Sequence, residues 1–156
     1  MLKLTLIAMG NKMPDWIIGG VETFSKRLQE QTSLTLLEIP LLKRGKPSDL
    51  SRILEKEMQL IRANIPQGAR LIALDRTGEM LSSEQLASKL DRLQAHTPHL
   101  CLIIGGPEGL HESLLAESHE RWSLSKLTLP HALARVFLLE TLYRSLCILQ
   151  NHPYHK

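Results

Sequence analysis

The stretch LCLIIGGPEGL, residues 100–110, decides the fold. Its first five residues, 100–104, are apolar at every position, which indicates a central strand of a parallel sheet that is covered on both faces. Gly105 and Gly106 follow directly, and glycine lets the backbone make a tight turn or approach a ligand closely. The position of the glycines leaves both interpretations open. A phosphate-binding loop is not indicated, because the segment matches neither the Walker A nor the GxGxxG pattern.

Strands and helices alternate on both sides of this stretch. The strands alternate apolar and polar residues or are apolar throughout, and the helices repeat apolar residues at helical spacing. The predicted strands are 2–9, 34–39, 70–74 and 100–104, and the predicted helices are 16–31, 49–64, 83–94 and 132–149. This order predicts an α/β fold, with a mostly parallel sheet and flanking helices, in a single domain that spans residues 1–156.

Three local features complete this outline. Ser48 and Ser83 are predicted to cap the second and third helices, since serine is a favoured N-cap residue. The run SLSKLTLP, residues 123–130, is typical of a short edge strand, with one wall of an adenine pocket as the alternative. Ligands of parallel sheets bind at the carboxyl ends of the strands, so the loops after Leu74 and Ile104 are the first candidates for a site.

The composition indicates a folded protein of the cell interior. Of the 156 residues, 43% are hydrophobic and 22% are charged, which excludes a disordered chain, a collagen-like chain and a disulfide scaffold. Cys101 and Cys147 lie in apolar runs and are predicted to be buried free thiols in a reducing compartment. The N-terminal segment lacks the pattern of a signal peptide, and charged residues interrupt the apolar stretch 132–149. We therefore expect a cytoplasmic protein without a membrane span.

Positive charge is concentrated near the C-terminus and in one internal cluster. Residues 121–156 hold five lysines and arginines against a single glutamate, and Lys43, Arg44 and Lys46 form the second cluster. This asymmetry predicts an anionic partner, most commonly a nucleic acid, with a solvated basic face as the alternative. The tail NHPYHK, residues 151–156, has side chains that could stack on a nucleotide, although a floppy terminus is the default. Its two histidines are too few ligands for a metal site, so no metal is expected.

Six motifs occur together in one order along the chain. They are GNKMPDW (10–16), IPLLKRGK (39–46), LIALD (71–75), IIGGPEGL (103–110), WSLSKLTLPH (122–131) and NHPYHK (151–156). As a set they closely resemble the bacterial ribosomal RNA large subunit methyltransferase H family. That family belongs to the SPOUT class of S-adenosylmethionine-dependent RNA methyltransferases. The resemblance covers essentially the whole chain.

The resemblance implies a fold, a reaction and a cofactor site. The fold would be an α/β knot, whose C-terminal part threads a trefoil, and the protein would be a homodimer. The reaction would be methylation of the N3 atom of a pseudouridine in 23S ribosomal RNA of the large subunit. The implied contacts to S-adenosylmethionine are Leu74, Gly105, Leu124, Ser125, Lys126, Leu127, Thr128 and Leu129, with the Lys126 side chain dispensable.

Such a reaction requires that the attacking nitrogen, the methyl group and the sulfur be aligned, and that the imide nitrogen lose its proton. A neutral histidine could act as the base, or a nearby cation could lower the imide pKa. The candidates are His131, Arg144, His152 and Tyr154, among which the residues alone do not choose. Arg144 has an alternative role in an i,i+4 ion pair with Glu140.

Contacts to the RNA phosphates are expected from basic residues outside the cofactor loops. They are Lys43, Arg44, Lys46, His155 and Lys156. Two other functions remain open: a non-catalytic RNA-binding or ribosome-associated α/β domain, and a knotted methyltransferase that acts on tRNA.

The helix at 132–149 carries apolar residues on more than one face. A surface helix of a monomer should show a single apolar stripe, so we expect this helix to be shared between the core and a dimer partner. A fully central helix is the alternative.

Overall fold

Five parallel strands form one sheet, with helices on both faces. The computed structural model describes residues 1–156. The elements are β1 (Leu2–Met9), α1 (Asp15–Gln29), β2 (Thr32–Ile39), a 3₁₀ turn (Pro47–Asp49), α2 (Leu50–Ala63), β3 (Arg70–Met80), α3 (Ser83–His96), β4 (His99–Ile104), α4 (Glu112–Glu117), β5 (Glu120–Ser123) and α5 (His131–Leu149). The strand order is β2-β1-β4-β3-β5, and every pairing is parallel. The predicted α/β fold with flanking helices is confirmed, and the trefoil knot implied by the resemblance stays a prediction.

β4 is the middle strand of the sheet, and the core is built on both of its faces. Leu100, Leu102 and Ile104 belong to a cluster formed with α1, α3 and α5. Cys101 and Ile103 belong to a second cluster, formed with α2 and α4. All five side chains are at most 4% exposed. The uninterrupted apolar run therefore predicted correctly a strand that is covered on both faces.

α5 lies between α1 and α3 over one face of the sheet. Leu138, Leu139 and Leu142 are buried within the chain. Val136 packs against α1 at Gly20, where an added Cβ would lie 3.1 Å from a valine methyl carbon. The central-helix alternative therefore holds for most of α5. Phe137 is its one large apolar side chain that remains exposed.

The helix caps differ from the prediction at two positions. α3 is capped by Ser82 rather than Ser83: the Ser82 Oγ accepts from the Gln85 N–H at 3.1 Å, and the Gln85 Oε1 accepts from the Ser82 N–H at 2.8 Å. This reciprocal capping box satisfies an amide that the helix itself leaves unpaired. Ser48 caps nothing, because it lies inside the 3₁₀ turn and α2 begins only after Asp49.

The last strand of the sheet lies earlier in the chain than predicted. β5 comprises Glu120–Ser123 and pairs with β3, whereas residues 124–130 contain no regular structure. The predicted edge strand over 123–130 is therefore wrong. β3 also continues past Leu74, with a shift of register before Glu79.

Both cysteines are buried and unpaired, as predicted. Burial raises the pKa of the Cys101 thiol to about 12, so this thiol stays protonated and unreactive at neutral pH. None of the helices combines the length and the apolar content needed to cross a membrane.

Candidate functional site

The carboxyl ends of the three inner strands β1, β4 and β3 lead into loops at one edge of the sheet. Gly10 follows the end of β1, Gly105 follows the end of β4, and β3 passes Leu74 at the same edge, because parallel strands share one polarity. Gly105 and Gly106 are buried, and the Gly109 N–H donates to the Gly106 carbonyl at 3.0 Å to close a tight turn. We call residues 105–110 the glycine loop.

Gly105 is required by the glycine loop itself. A Cβ added there would lie 2.6 Å from both the carbonyl carbon and the carbonyl oxygen of Gly109. Gly109 in turn adopts φ +83°, a backbone conformation that is strained for residues with a side chain. The tight turn, one of the two interpretations left open by the sequence, is therefore observed directly. The backbone of this loop lies at the strand ends, where a ligand of a parallel sheet would bind.

The predicted cofactor segment, residues 124–129, is an irregular loop between β5 and α5. Ser125 organises it, since its Oγ accepts from the Leu127 N–H at 2.9 Å and its carbonyl accepts from the Ser123 hydroxyl at 3.0 Å. The Leu127 side chain is 75% exposed, although it is large and apolar. The backbone amides of Lys126 and Thr128 donate to no other group in the chain. The loop thus offers an apolar surface with free amides beside it, which suits the flat base and polar edge of an adenine.

His131 is the first residue of α5 and lies beside the end of β1. Its Nε2 would be 3.4 Å from a Cβ added at Gly10. Partial burial lowers the pKa of His131, and the nearby cations Arg135 and Arg44 lower it further, against an opposing effect of Glu108. The imidazole is therefore neutral at pH 7, which is the protonation state that a general base needs.

Arg135 is a buried residue of this region that the sequence analysis did not select. Its guanidinium donates to the Glu38 carboxylate at 2.7 Å and to the carbonyls of Met9 and Gly10 at 3.1 and 3.2 Å. The side chain is completely buried. Arg135 therefore anchors the first turns of α5 to the ends of β1 and β2. The available signal was an arginine inside an otherwise apolar helix.

Arg44 joins the basic cluster to the glycine loop. It forms ion pairs with Glu57 at 2.5 Å and with Glu108 at 2.6 Å, which raise its pKa. The Glu57 carboxylate is almost completely buried. Because two carboxylates hold its guanidinium, Arg44 fixes this loop in place, and its expected role in binding RNA phosphate stays a prediction. Lys43 and Lys46 are exposed and have no ion pair, so they remain available.

The C-terminal tail folds back along α5. The Tyr154 hydroxyl donates to Glu140 at 2.9 Å, and its ring meets the Tyr143 ring edge-to-face with centroids 4.8 Å apart. Arg144 lies over the Tyr154 ring at 4.7 Å and also forms the alternative i,i+4 pair with Glu140 at 2.8 Å. The His155 ring lies within 3.2 Å of Arg144. The tail is therefore docked, and the default of a floppy terminus is wrong.

The structure divides the catalytic candidates into two groups. His131 stands at the glycine-loop end of α5, whereas Arg144 and Tyr154 meet at Glu140, nine residues further along the helix. At the helical rise this separates the groups by roughly 13 Å along the axis. His152 is exposed and accepts from the Tyr154 N–H at 3.1 Å. Within one chain, therefore, the tail residues do not reach His131.

The remaining candidates are exposed or are not assembled into a site. Lys156 is exposed at the end of the tail. The His155 Nε2 also lies 3.2 Å from Glu84 of α3, so this ring is held against the protein rather than projecting from it. No group of three or more histidine, cysteine and carboxylate side chains comes together as a metal site requires.

Comparisons of the chain with known proteins agree on one family. A family model described as "Predicted SPOUT methyltransferase" matches residues 2–155. A ribosomal RNA large subunit methyltransferase H of Legionella pneumophila (strain Paris) is 59% identical over 156 residues, the whole of both chains. One of Pseudomonas aeruginosa (strain UCBPP-PA14) is 44% identical over 155 residues, 99% of this chain and 100% of the relative. A probable methyltransferase structure from Bordetella pertussis Tohama I has a TM-score of 0.58 at 14% identity, covering 93% of this chain and 96% of that chain, a likeness of fold.

Proposed function

The chain belongs to the SPOUT methyltransferase family, and on that premise we propose that it methylates the N3 atom of a pseudouridine in 23S ribosomal RNA, with S-adenosylmethionine as the methyl donor. The observation that carries the proposal is the match over the full length to relatives named ribosomal RNA large subunit methyltransferase H. A substrate of this kind also implies that the protein works in the cytoplasm.

The cofactor would be held by the loops at the carboxyl edge of the sheet. Leu74, Gly105 and residues 124–129 are the proposed contacts, since the leucines offer apolar surface and the backbone amides offer hydrogen bonds. The bound cofactor supplies a methyl group activated by a sulfonium charge. The task of these loops is to hold the methyl group in line with the attacking nitrogen, which is a positioning task.

His131 is the proposed group for the imide proton. It stands at the glycine-loop end of α5, and its lowered pKa keeps it neutral. Tyr154 is a poorer base, because partial burial and the hydrogen bond to Glu140 raise its pKa and keep it a phenol. Arg144 is already paired with Glu140. The tail residues are therefore better suited to positioning the target nucleotide than to accepting its proton.

A homodimer would bring the two groups of candidate residues together. Three large apolar side chains remain exposed on α1 and α5: Trp16 at 66%, Ile18 at 44% and Phe137 at 40%. The two helices pack side by side through Gly20 and Val136, so these side chains belong to neighbouring surfaces. A partner covering them would remove apolar area from water and could place the tail of one chain at the pocket of the other.

The phosphates of the RNA would be met by Lys43 and Lys46. Both are exposed, and Arg44 between them fixes their loop against the glycine loop through Glu108. The lysines therefore flank the proposed cofactor pocket of their own chain. Replacing both by alanine should weaken RNA binding and make it less dependent on salt, by a slope of about 0.7 to 0.9 for each phosphate that the protein no longer neutralises.

Calorimetry and methyl transfer test the proposed function together. The purified chain should bind S-adenosylmethionine and should transfer its labelled methyl group to large ribosomal subunits or to 23S ribosomal RNA. Total tRNA serves as the control substrate. A chain that binds RNA but neither binds the cofactor nor transfers methyl would be a non-catalytic RNA-binding domain. Transfer to tRNA in preference to ribosomal RNA would instead leave the family intact and refute the substrate.

A further inference from the structure

A polar cavity of the structure lies away from the candidate site. It measures about 610 Å³ and opens between α3, β3 and β5. It contains none of the residues proposed above for cofactor, proton or phosphate. Only one of its nine lining residues is apolar, so it does not suit an adenine ring or another flat apolar ligand. We call it the α3 cleft.

Glu120 is the centre of a fixed ion network on one wall of the α3 cleft. Its carboxylate accepts from Arg70 Nε at 2.8 Å, Lys89 Nζ at 2.8 Å and Trp122 Nε1 at 3.0 Å. Burial by itself would raise the pKa of Glu120, but these hydrogen bonds outweigh burial and lower the pKa to about 2. The carboxylate therefore stays ionised, and it accepts its hydrogen bonds from neighbouring side chains of the same chain.

The other cations of the α3 cleft are free. Arg92 and Arg121 are exposed, and neither guanidinium forms an ion pair or a hydrogen bond within the chain. His96, in the last turn of α3, is exposed beside them. Glu79, the second carboxylate, lies 3.1 Å from Lys89. Two arginines thus face a polar cleft without a carboxylate partner, which is the donor set that recognises phosphate oxygens.

We propose that the α3 cleft binds the sugar-phosphate backbone of the RNA substrate, as a second contact apart from the methyl-transfer site; this inference rests on the proposed function. Arg70 and Glu120 begin β3 and β5, so the cleft lies towards the amino ends of strands whose carboxyl ends carry the pocket. Arg70 lies four residues before Leu74 on β3, roughly 13 Å along the strand. Arg121 pairs with Ala73, the residue before Leu74, so the cleft extends from the amino ends of these strands towards the pocket. Such a contact would hold a neighbouring part of the RNA while its target base enters the pocket.

The test removes the two free arginines together. Arg92→Ala with Arg121→Ala should leave folding and S-adenosylmethionine binding unchanged, because both side chains are exposed and unpaired. The control, Arg52→Ala with Lys56→Ala, removes the same charge from exposed positions on α2, on the other face of the sheet. RNA affinity is measured against salt concentration, using a 23S ribosomal RNA fragment, and methyl transfer is measured as KM and kcat.

The proposal expects a selective loss in the α3-cleft variant. RNA affinity and KM should worsen by about tenfold with kcat unchanged, and the salt slope should flatten by about 1.4 to 1.8 for two phosphate contacts. Equal RNA affinity in the cleft variant and the α2 control would overturn the proposal. The proposal would also be overturned if a polyglutamate peptide bound through these arginines while their replacement left RNA affinity unchanged. If the wild-type chain binds the RNA but transfers no methyl group, the proposed function fails, and the affinity comparison still decides the cleft.

Discussion

Replacing Gly105 by alanine should disable the site while leaving the sheet intact. The added Cβ would lie 2.6 Å from the Gly109 carbonyl, whereas ordinary contacts begin at 3.4 Å. The glycine loop would therefore have to move by about 0.8 Å, the difference between these distances, because backbone atoms cannot rotate away. Such a forced shift costs about 1–3 kcal/mol of stability. A displacement of this size in a positioning site lowers the rate by up to about 100-fold.

Three measurements check this prediction: chemical denaturation, calorimetry with S-adenosylmethionine, and the rate of methyl transfer. The matched control is Gly19→Ala on α1, where an added Cβ meets nothing within 4 Å. The control should keep cofactor binding and activity. If the Gly105 variant is folded and binds the cofactor as tightly as the control, the glycine loop is not part of the pocket. Loss of binding in both variants would refute the reasoning from loop geometry.

Three further predictions concern titration, ion pairing and the tail. If His131 is the base, its lowered pKa predicts that kcat/KM falls on the acid side as the imidazole protonates, with a midpoint below the ordinary histidine value of 6.5, and His131→Asn should remove this acid limb from the pH–rate profile. Arg44→Ala should destabilise the fold by about 2 kcal/mol in denaturant titrations, because it leaves the buried Glu57 carboxylate unpaired; a change below about 0.5 kcal/mol would refute that role. Deletion of residues 151–156 should abolish methyl transfer and preserve cofactor binding, and a deletion variant that methylates at the wild-type rate would exclude the tail from the site.

A fifth prediction concerns how the ion pairs of Glu120 in the α3 cleft contribute to the stability of the fold at acid pH. The pKa of Glu120 is about 2 in the folded chain against an ordinary value of 4.5, so its stabilising effect is complete above about pH 5 and is lost as pH falls towards 2. Glu120→Gln should be less stable than wild type at pH 7, and the difference should shrink between pH 5 and pH 2. A constant difference over that range would show that the carboxylate charge does not stabilise the fold.

The sequence predicted the main elements because their signals are local. The apolar run at 100–104 and the helical spacing of the other segments each depend on a few neighbouring residues, so the strand–helix order follows directly. The predicted cap, Ser83, lies one residue from the observed cap, Ser82, because helical periodicity changes little with a shift of one residue. β5 was misplaced because it is only four residues long and exists through its pairing with β3.

The site was harder to predict because its contacts join distant parts of the chain. The loops at the strand ends could be anticipated from the polarity of a parallel sheet. The pairing of Arg44 with Glu108 spans 64 positions, and the contact of Arg135 with the Met9 carbonyl spans 126, so neither leaves a pattern in the local sequence. The docking of Tyr154 on Glu140 likewise depends on how the chain turns back after α5. Charge clusters in a sequence show which residues are basic and do not show which are already paired.

The central claim is that this chain methylates one base position in ribosomal RNA of the large subunit. The most direct measurement incubates the purified chain and S-adenosylmethionine with large ribosomal subunits that lack the modification, and then identifies methylated nucleosides in the digested RNA by mass spectrometry. The account predicts a single new nucleoside, a pseudouridine methylated at its N3 atom. It also predicts that this product is greatly reduced with Gly105→Ala. No methylated nucleoside, or a methyl group on a ribose hydroxyl instead of the base, would contradict the account.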